Sequence, residues 1–428
     1  MSPKLDRATA PAFGEINEVN ILRAEPHKLD NGIPLYSIRG GVQPVVRLDI
    51  LFPAGKWYQP KPLVAFATNS LLDDGTSKHN SSQIADAIDF YGAYFQKKSD
   101  VDFAEVTLYA QVKHLAKILP LVYEKLTDSV FPEHELSVFK QNNKEKLIQN
   151  LDRVEVLASH KLQEVLFGDK HPYGLINKAE DYDRLTREDL EAFYKKHYRL
   201  ADAKMIVSGQ VDEEVIKTIN TVFGKVVLET ASTAMHRDAV IHTDEAHVHA
   251  VKKDKAVQAA LRVGKIFPNR KHADYQGLLI LNTVLGGYFG SRLMSNIRED
   301  KGYTYGIHSS ISSHLQGASM TIATEVGASV AKDAMKEIFH EIKLLREELV
   351  PEDELQLVRN YLSGSFLRGI DGPFALADRF AAILKYDQGY EYYESYFQKL
   401  KTIRPEELQQ LAMKYYGDDS FFQVTAGS

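Results

Sequence analysis

Apolar and polar positions along this chain fall into two periods. Short segments with an apolar residue at every second position read as strands, and longer ones with a three-to-four-residue recurrence read as helices. Val46 to Phe52 and Ala259 to Phe267 are strands of the first kind, each followed by a helical stretch. Val101 to Leu108 and Ala318 to Ala323 also read as strands, set between long helical patterns.

The pattern repeats once, at a spacing of roughly 210 residues, far beyond a solenoid period. Leu185-Thr186-Arg187-Glu188-Asp189-Leu190 leads to Lys195-Lys196-His197-Tyr198 and then to Met205-Ile206-Val207-Ser208-Gly209. Ile403-Arg404-Pro405-Glu406-Glu407-Leu408 leads to Met413-Lys414-Tyr415-Tyr416 and then to Phe422-Gln423-Val424-Thr425-Ala426-Gly427. Both copies predict a helix with acids in its first turn, a short loop and a strand that ends at glycine. Phe131-Pro132-Glu133-His134-Glu135-Leu136 likewise matches Val350-Pro351-Glu352-Asp353-Glu354-Leu355, and each opens a long helix. Two matching halves imply two similar α+β domains. Residues 226–244 are polar with little helical period and read as the linker, which gives domains at 1–225 and 245–428.

Composition narrows the classes. The chain has 428 residues, 44% apolar and 26% charged, the balance of a soluble globular protein. A net charge of −6 offers no basic excess for nucleic acid. No run approaches the roughly eighteen apolar residues of a membrane span. Met1 to Ile16 lacks the apolar core of a signal peptide, so the compartment reads as the cytoplasm, or as the periplasm if a leader has been removed. Cysteine is absent, which excludes disulfides, thiolate metal sites and cysteine nucleophiles.

Two segments carry a family resemblance. Leu63-Val64-Ala65-Phe66-Ala67-Thr68-Asn69-Ser70-Leu71-Leu72-Asp73-Asp74-Gly75-Thr76 resembles the zinc helix of the insulinase/pitrilysin peptidases, which carries H-x-x-E-H and runs into a Gly-Thr loop. Phe66, Asn69 and Ser70 stand where that motif has His, Glu and His. A phenyl ring cannot ligate zinc, and Ser and Asn are poor ligands. In the second half, Leu285-Gly286-Gly287-Tyr288-Phe289-Gly290-Ser291-Arg292-Leu293 continues through Ile297-Arg298-Glu299 to Gly302-Tyr303-Thr304-Tyr305-Gly306. It is similar to the Gly-rich turn, Ser-Arg-Leu, Arg-Glu helix end and Gly-Tyr-x-Tyr-Gly of the same family. Asn31-Gly32, His171-Pro172-Tyr173-Gly174 and Ser208-Gly209 extend the resemblance over nearly the whole chain.

The resemblance implies an Arg and a Tyr, Arg298 and Tyr305, that reach across to a zinc site and contact bound peptide. A donor aimed at the carbonyl oxygen, where negative charge builds during hydrolysis, typically contributes about 10²–10³ in rate. The bland alternative pairs Arg298 with Glu299 or Asp300 and packs Tyr305. The family's third ligand falls near residues 144–149, with Glu145 the closest carboxylate. No zinc is therefore expected on this chain.

Other chemistry is weak. His134-Glu135 and His340-Glu341 begin like H-E-x-x-H, but Val138 and Leu344 replace the second His. His242, His247 and His249 cluster loosely beside the linker. Gly286, Gly287 and Gly290 do not fit a dinucleotide loop, and Ser70 and Ser291 lack a nucleophile-elbow context. The Tyr-dense run 390–397 reads as packing between domains, with a partner interface as the alternative.

The expectation is two homologous α+β domains, each a mostly antiparallel sheet with helices packed on one face, and together half of a clam-shaped dimer. The implied role is the non-zinc subunit of a heterodimeric peptidase, with a zinc-bearing homologous subunit and a peptide as partners. The alternatives are an inactive structural core subunit and a peptide-binding homodimer.

Overall fold

The computed structural model describes residues 21–228 and 239–427. Strands β1 (Glu25–Lys28), β2 (Pro34–Arg39), β3 (Val45–Phe52), β4 (Tyr94–Ser99), β5 (Ala104–Gln111) and β6 (Lys204–Gly209) form one sheet, ordered β1-β2-β6-β3-β5-β4. Strands β7 (Val248–Lys252), β8 (Gln258–Phe267), β9 (Thr304–His314), β10 (Gly317–Gly327) and β11 (Phe422–Gly427) form the second, ordered β7-β11-β8-β10-β9. Without β1 the two orders coincide strand for strand. In each sheet one pair is parallel, β2–β6 and β7–β11, and the other pairs are antiparallel.

The sequence repeat thus reports a repeated topology. Helices Arg187–His197 and Pro405–Tyr415 each feed the strand that returns to the sheet interior. Thr186 opens the first with a reciprocal cap, its hydroxyl accepting from the Asp189 N–H and the Asp189 carboxylate accepting from the Thr186 N–H. Gly209 and Gly427 end β6 and β11 at φ of 111° and 140°. A Cβ there would stand 2.3 Å from the Val45 carbonyl oxygen and 2.7 Å from that of Gln258. This is why both copies end in glycine.

The strand read at 101–108 begins instead at Ala104. The Asp100 carboxylate accepts the N–H groups of Asp102 and Phe103, which holds a turn where the alternation suggested extended chain.

In β3 the residues Val46, Leu48, Ile50 and Phe52 point into a core shared with the helices of the first half. The opposite face carries Arg47, Asp49 and Leu51, and it too is buried. Helix Pro373–Leu384, from the second half, lies on it and packs Leu376, Phe380 and Ile383 against Ile38, Leu51 and Ile206. Conversely, helix Val154–Phe167 of the first half crosses to the second sheet and packs Leu162 and Val165 against Ala260, Phe422 and Val424. Each half therefore lends one helix to the other's sheet, and both faces of each sheet are covered. Gly264 on β8 permits the approach, since a Cβ there would fall 2.9 Å from a Leu162 methyl.

Residues 229–238 of the expected linker lie outside the described residues. Beyond them, the His242 and Asp244 N–H groups donate to the carbonyls of Phe167 and Val165. Tyr392 and Tyr393, from the Tyr-dense run, join the core between the first sheet and helix Pro373–Leu384, as a packing role requires. Among the described residues no helix is long and apolar enough to cross a membrane.

Candidate functional site

Helix Val64–Ser70 has only seven residues and starts at Leu63, a buried non-glycine residue with φ of 71°. No side chain of its N-cap residue closes it, and the Gln59 amide oxygen accepts the Ala65 N–H instead. Phe66 is 43% exposed and packs at a tilt on Phe139, with ring centres 5.4 Å apart. Asn69 is 3% exposed and turns inward, its Nδ2 donating to the Tyr198 hydroxyl oxygen at 3.1 Å. Burial pushes the Tyr198 phenol well above its ordinary value, so it stays neutral. The Ser70 carbonyl accepts from the Lys97 ammonium, which also pairs with Asp73.

Glu145 is exposed on helix Glu133–Asn150 and accepts from Gln141 on the turn before it. The residue of that helix that meets Phe66 is Phe139, which is apolar. These residues do not fit zinc: the Phe66 ring cannot ligate it, the Ser70 hydroxyl is a poor ligand, and the Asn69 amide is engaged with a phenol. Among the described residues no three His, Asp or Glu side chains converge as a metal site. His247 stacks on Phe422 and hydrogen-bonds the Phe421 carbonyl, and His249 meets the Ala246 carbonyl.

The second-half motif is built differently. Arg292 makes a two-pronged ion pair with Glu354, at 2.9 and 2.8 Å, which fastens the Gly-rich turn to helix Glu352–Arg368. Residues Met294–Asp300 run in wide π-helical turns, and Asn296 donates to Glu337 and Glu341. The Tyr303 N–H then donates to the Ile297 carbonyl at 3.0 Å, which folds the chain sharply into β9. Arg298 and Tyr305 flank that fold.

Arg298 makes no ion pair within 4 Å among the described residues. Its guanidinium rests instead on the Phe289 ring, 4.6 Å from the centre. Tyr305 is 95% exposed on the edge strand β9. Among the described residues Arg298 pairs with neither Glu299 nor Asp300, and Tyr305 is not packed. No hydrogen bond or ring contact joins this pair to Phe66, Asn69 or Ser70 among the described residues. Three further residues, Tyr198, Phe139 and Phe289, shape the two segments. Phe289 sits inside the Gly-rich run and Tyr198 ends the repeated helix, whereas Phe139 carried no sequence signal.

His171-Pro172-Tyr173-Gly174 ties the halves together. The buried Tyr173 hydroxyl donates to Asp102 at 3.1 Å and accepts the Gln316 N–H at 3.0 Å, while Asp102 also accepts the Leu315 N–H at 2.9 Å.

Residues 184–362 match the model of the peptidase M16 inactive domain. An uncharacterized zinc protease, YmxG of Bacillus subtilis, is 23% identical over 300 residues, covering 69% of this chain and 72% of that protein. A non-peptidase homolog, YmxG of Helicobacter pylori, is 22% identical over 368 residues, covering 84% and 81%. The crystal structure of a peptidase M16 inactive domain from Pseudomonas fluorescens superposes with a TM-score of 0.83 at 21% identity, over 94% of this chain and 98% of that one. The periplasmic protease PqqL of Escherichia coli gives a TM-score of 0.78 at 16% identity, over 99% of this chain but 49% of its own. Residues 184–362 thus resemble the peptidase M16 inactive domain, and the chain shares its fold with proteins of that kind over most of its length.

Proposed function

We propose that this chain is the non-zinc subunit of a two-chain M16 peptidase, and that it lends Arg298 and Tyr305 to the active site of a zinc-bearing homologous subunit. The observation that carries this is their presentation: Tyr305 stands almost fully in solvent, and Arg298 rests on an aromatic ring with no carboxylate within 4 Å among the described residues. Exposed tyrosine and an uncommitted arginine contribute nothing evident to the fold. They are suited to a peptide carbonyl oxygen as it gains charge, the Tyr305 O–H and Arg298 N–H groups donating to it. The metal chemistry belongs to the partner, because Phe66, Asn69 and Ser70 offer no ligand set. PqqL supports a two-unit assembly, since a unit of this size fills about half of that one chain.

A structural subunit without peptidase chemistry is the second reading. The name of the Helicobacter relative, a non-peptidase homolog, favours it.

The test is cleavage of a quenched fluorescent peptide by this chain, by a zinc-bearing homologue from the same genome, and by their mixture. Activity in the mixture alone, abolished by a chelator, is the expected result. Chelator-resistant cleavage by this chain alone contradicts it, and failure of every such homologue to complement it leaves the structural subunit.

A further inference from the structure

A cleft of about 620 Å³ opens between the two halves, away from Arg298 and Tyr305. One wall is the β4–β5 turn, and the other joins the end of β9 to helix Pro373–Leu384 and the residues after it. Four carboxylates reach it, and each is already engaged. Asp100 holds the two N–H groups of its own turn. Asp102 holds the Tyr173 hydroxyl and the Leu315 N–H. Glu105 pairs with Lys385 at 2.9 Å, and Asp378 with Arg47 at 2.6 Å.

The cations do not balance in the same way. Lys385 is committed to Glu105, but Lys98 and Arg270 also line the cleft and have no carboxylate within 4 Å among the described residues. Arg270 donates to the Ala382 carbonyl at 2.7 Å, and its guanidinium sits 4.3 Å from the Tyr392 ring centre and 5.3 Å from that of Tyr386. A largely buried guanidinium held by neutral groups, the Tyr392 side chain, the Tyr386 ring and one carbonyl, has no carboxylate offsetting its charge among the described residues.

We propose that this cleft binds the C-terminal carboxylate of a short peptide, with Arg270 and Lys98 as its cationic ligands. A single negative charge fits better than two, because the engaged carboxylates still repel a dianion such as phosphate. Phe103 and Tyr275 give the cleft apolar walls, and its size lies in the range of small-ligand sites. Asp378, 63% exposed on the rim, retains acceptor capacity for a peptide N–H. The binding is a property of this chain alone, so it stands or falls separately from the catalytic partnership.

The test is calorimetric titration of the full chain with N-acetyl-Ala-Ala-Phe as the free acid, with the same peptide as its C-terminal amide, and with inorganic phosphate. The acid is expected to bind about tenfold or more tightly than the amide and than phosphate, with affinity falling as salt is added. Arg270→Gln should abolish the preference for the acid. Because Arg270 also touches Ala382, Lys98→Gln serves as the variant that leaves the fold alone, and it should weaken the acid about threefold or more. Equal binding of acid and amide, phosphate as tight as the acid, no heat at millimolar peptide, or an unchanged affinity in Lys98→Gln would each overturn the proposal.

Discussion

The guanidinium of Arg298 lies 4.6 Å from the centre of the Phe289 ring, on the loop side of the π-helical turns that precede β9. Phe289 is itself 62% exposed, so the contact orients the arginine more than it supports a core. An exposed cation–π contact is worth about 0.5–1 kcal/mol. Phe289→Ala should therefore leave the melting temperature within about 1 °C and lower the kcat/KM of the assembled peptidase about two- to fivefold. An unaltered kcat/KM would show that the ring does not position Arg298.

Asn69 is a structural amide, buried and donating to the Tyr198 hydroxyl. Asn69→Leu leaves the buried Tyr198 hydroxyl without its partner and should cost about 1–3 kcal/mol in urea unfolding. Combined with Tyr198→Phe, the total should be smaller than the sum of the two single losses. Full additivity would show that the two groups do not interact. Metal analysis of the wild-type chain after dialysis should return well under one equivalent of zinc; one bound equivalent would contradict the site as described.

Much of the fold was legible because its signals are local. The duplicated capped helix and glycine-ended strand, and the alternation of Val46, Leu48, Ile50 and Phe52, needed no distant information. The other face of β3 was not legible. Arg47 and Asp49 look like a solvated edge of an alternating strand, and only the crossing of helix Pro373–Leu384 buries them, with Asp378 supplying the pairing. The second cover of each sheet is a long-range exchange that no local period encodes. At the candidate site, the mismatch of Phe66, Asn69 and Ser70 with the zinc motif was legible in the sequence. The inward turn of Asn69 was not, since it depends on Tyr198, far along the chain.

Tyr173 makes a testable claim about how the halves are joined. Its hydroxyl serves Asp102 and the Gln316 N–H together, and Tyr173→Phe deprives both. A loss of about 1–3 kcal/mol is expected, with faster amide hydrogen exchange at residues 315–317. Unchanged exchange there would mean that the hairpin tip is held by other contacts.

Asp74, in the loop after helix Val64–Ser70, predicts a pH dependence. Burial raises its carboxyl from the unfolded 3.8 to about 6, against the nearby Lys97, with Asp73 and Glu135 adding to the rise. Between these values the folded chain binds the proton more tightly than the unfolded chain. Stability therefore falls as pH rises from about 4 to 6, and the cost is fully present at neutral pH. Allowing for partial exposure, that cost is about 1–2 kcal/mol. Asp74→Asn should recover most of it at pH values near 7.5 and flatten the profile below, as read from urea midpoints at acid and neutral pH. A variant less stable than wild type at neutral pH would contradict the assignment.

Whether Tyr305 acts on substrate in a partner's site rather than on its own fold is decided by Tyr305→Phe, which removes one hydroxyl and keeps the ring. The measurement is kcat/KM for a fluorescent peptide with the variant assembled on the zinc-bearing homologue, together with the melting temperature of the variant alone. The predicted result is a fall of about 10²-fold or more in kcat/KM with assembly and melting unchanged. Wild-type cleavage by the assembled variant would contradict it, and would remove the main argument against a purely structural subunit.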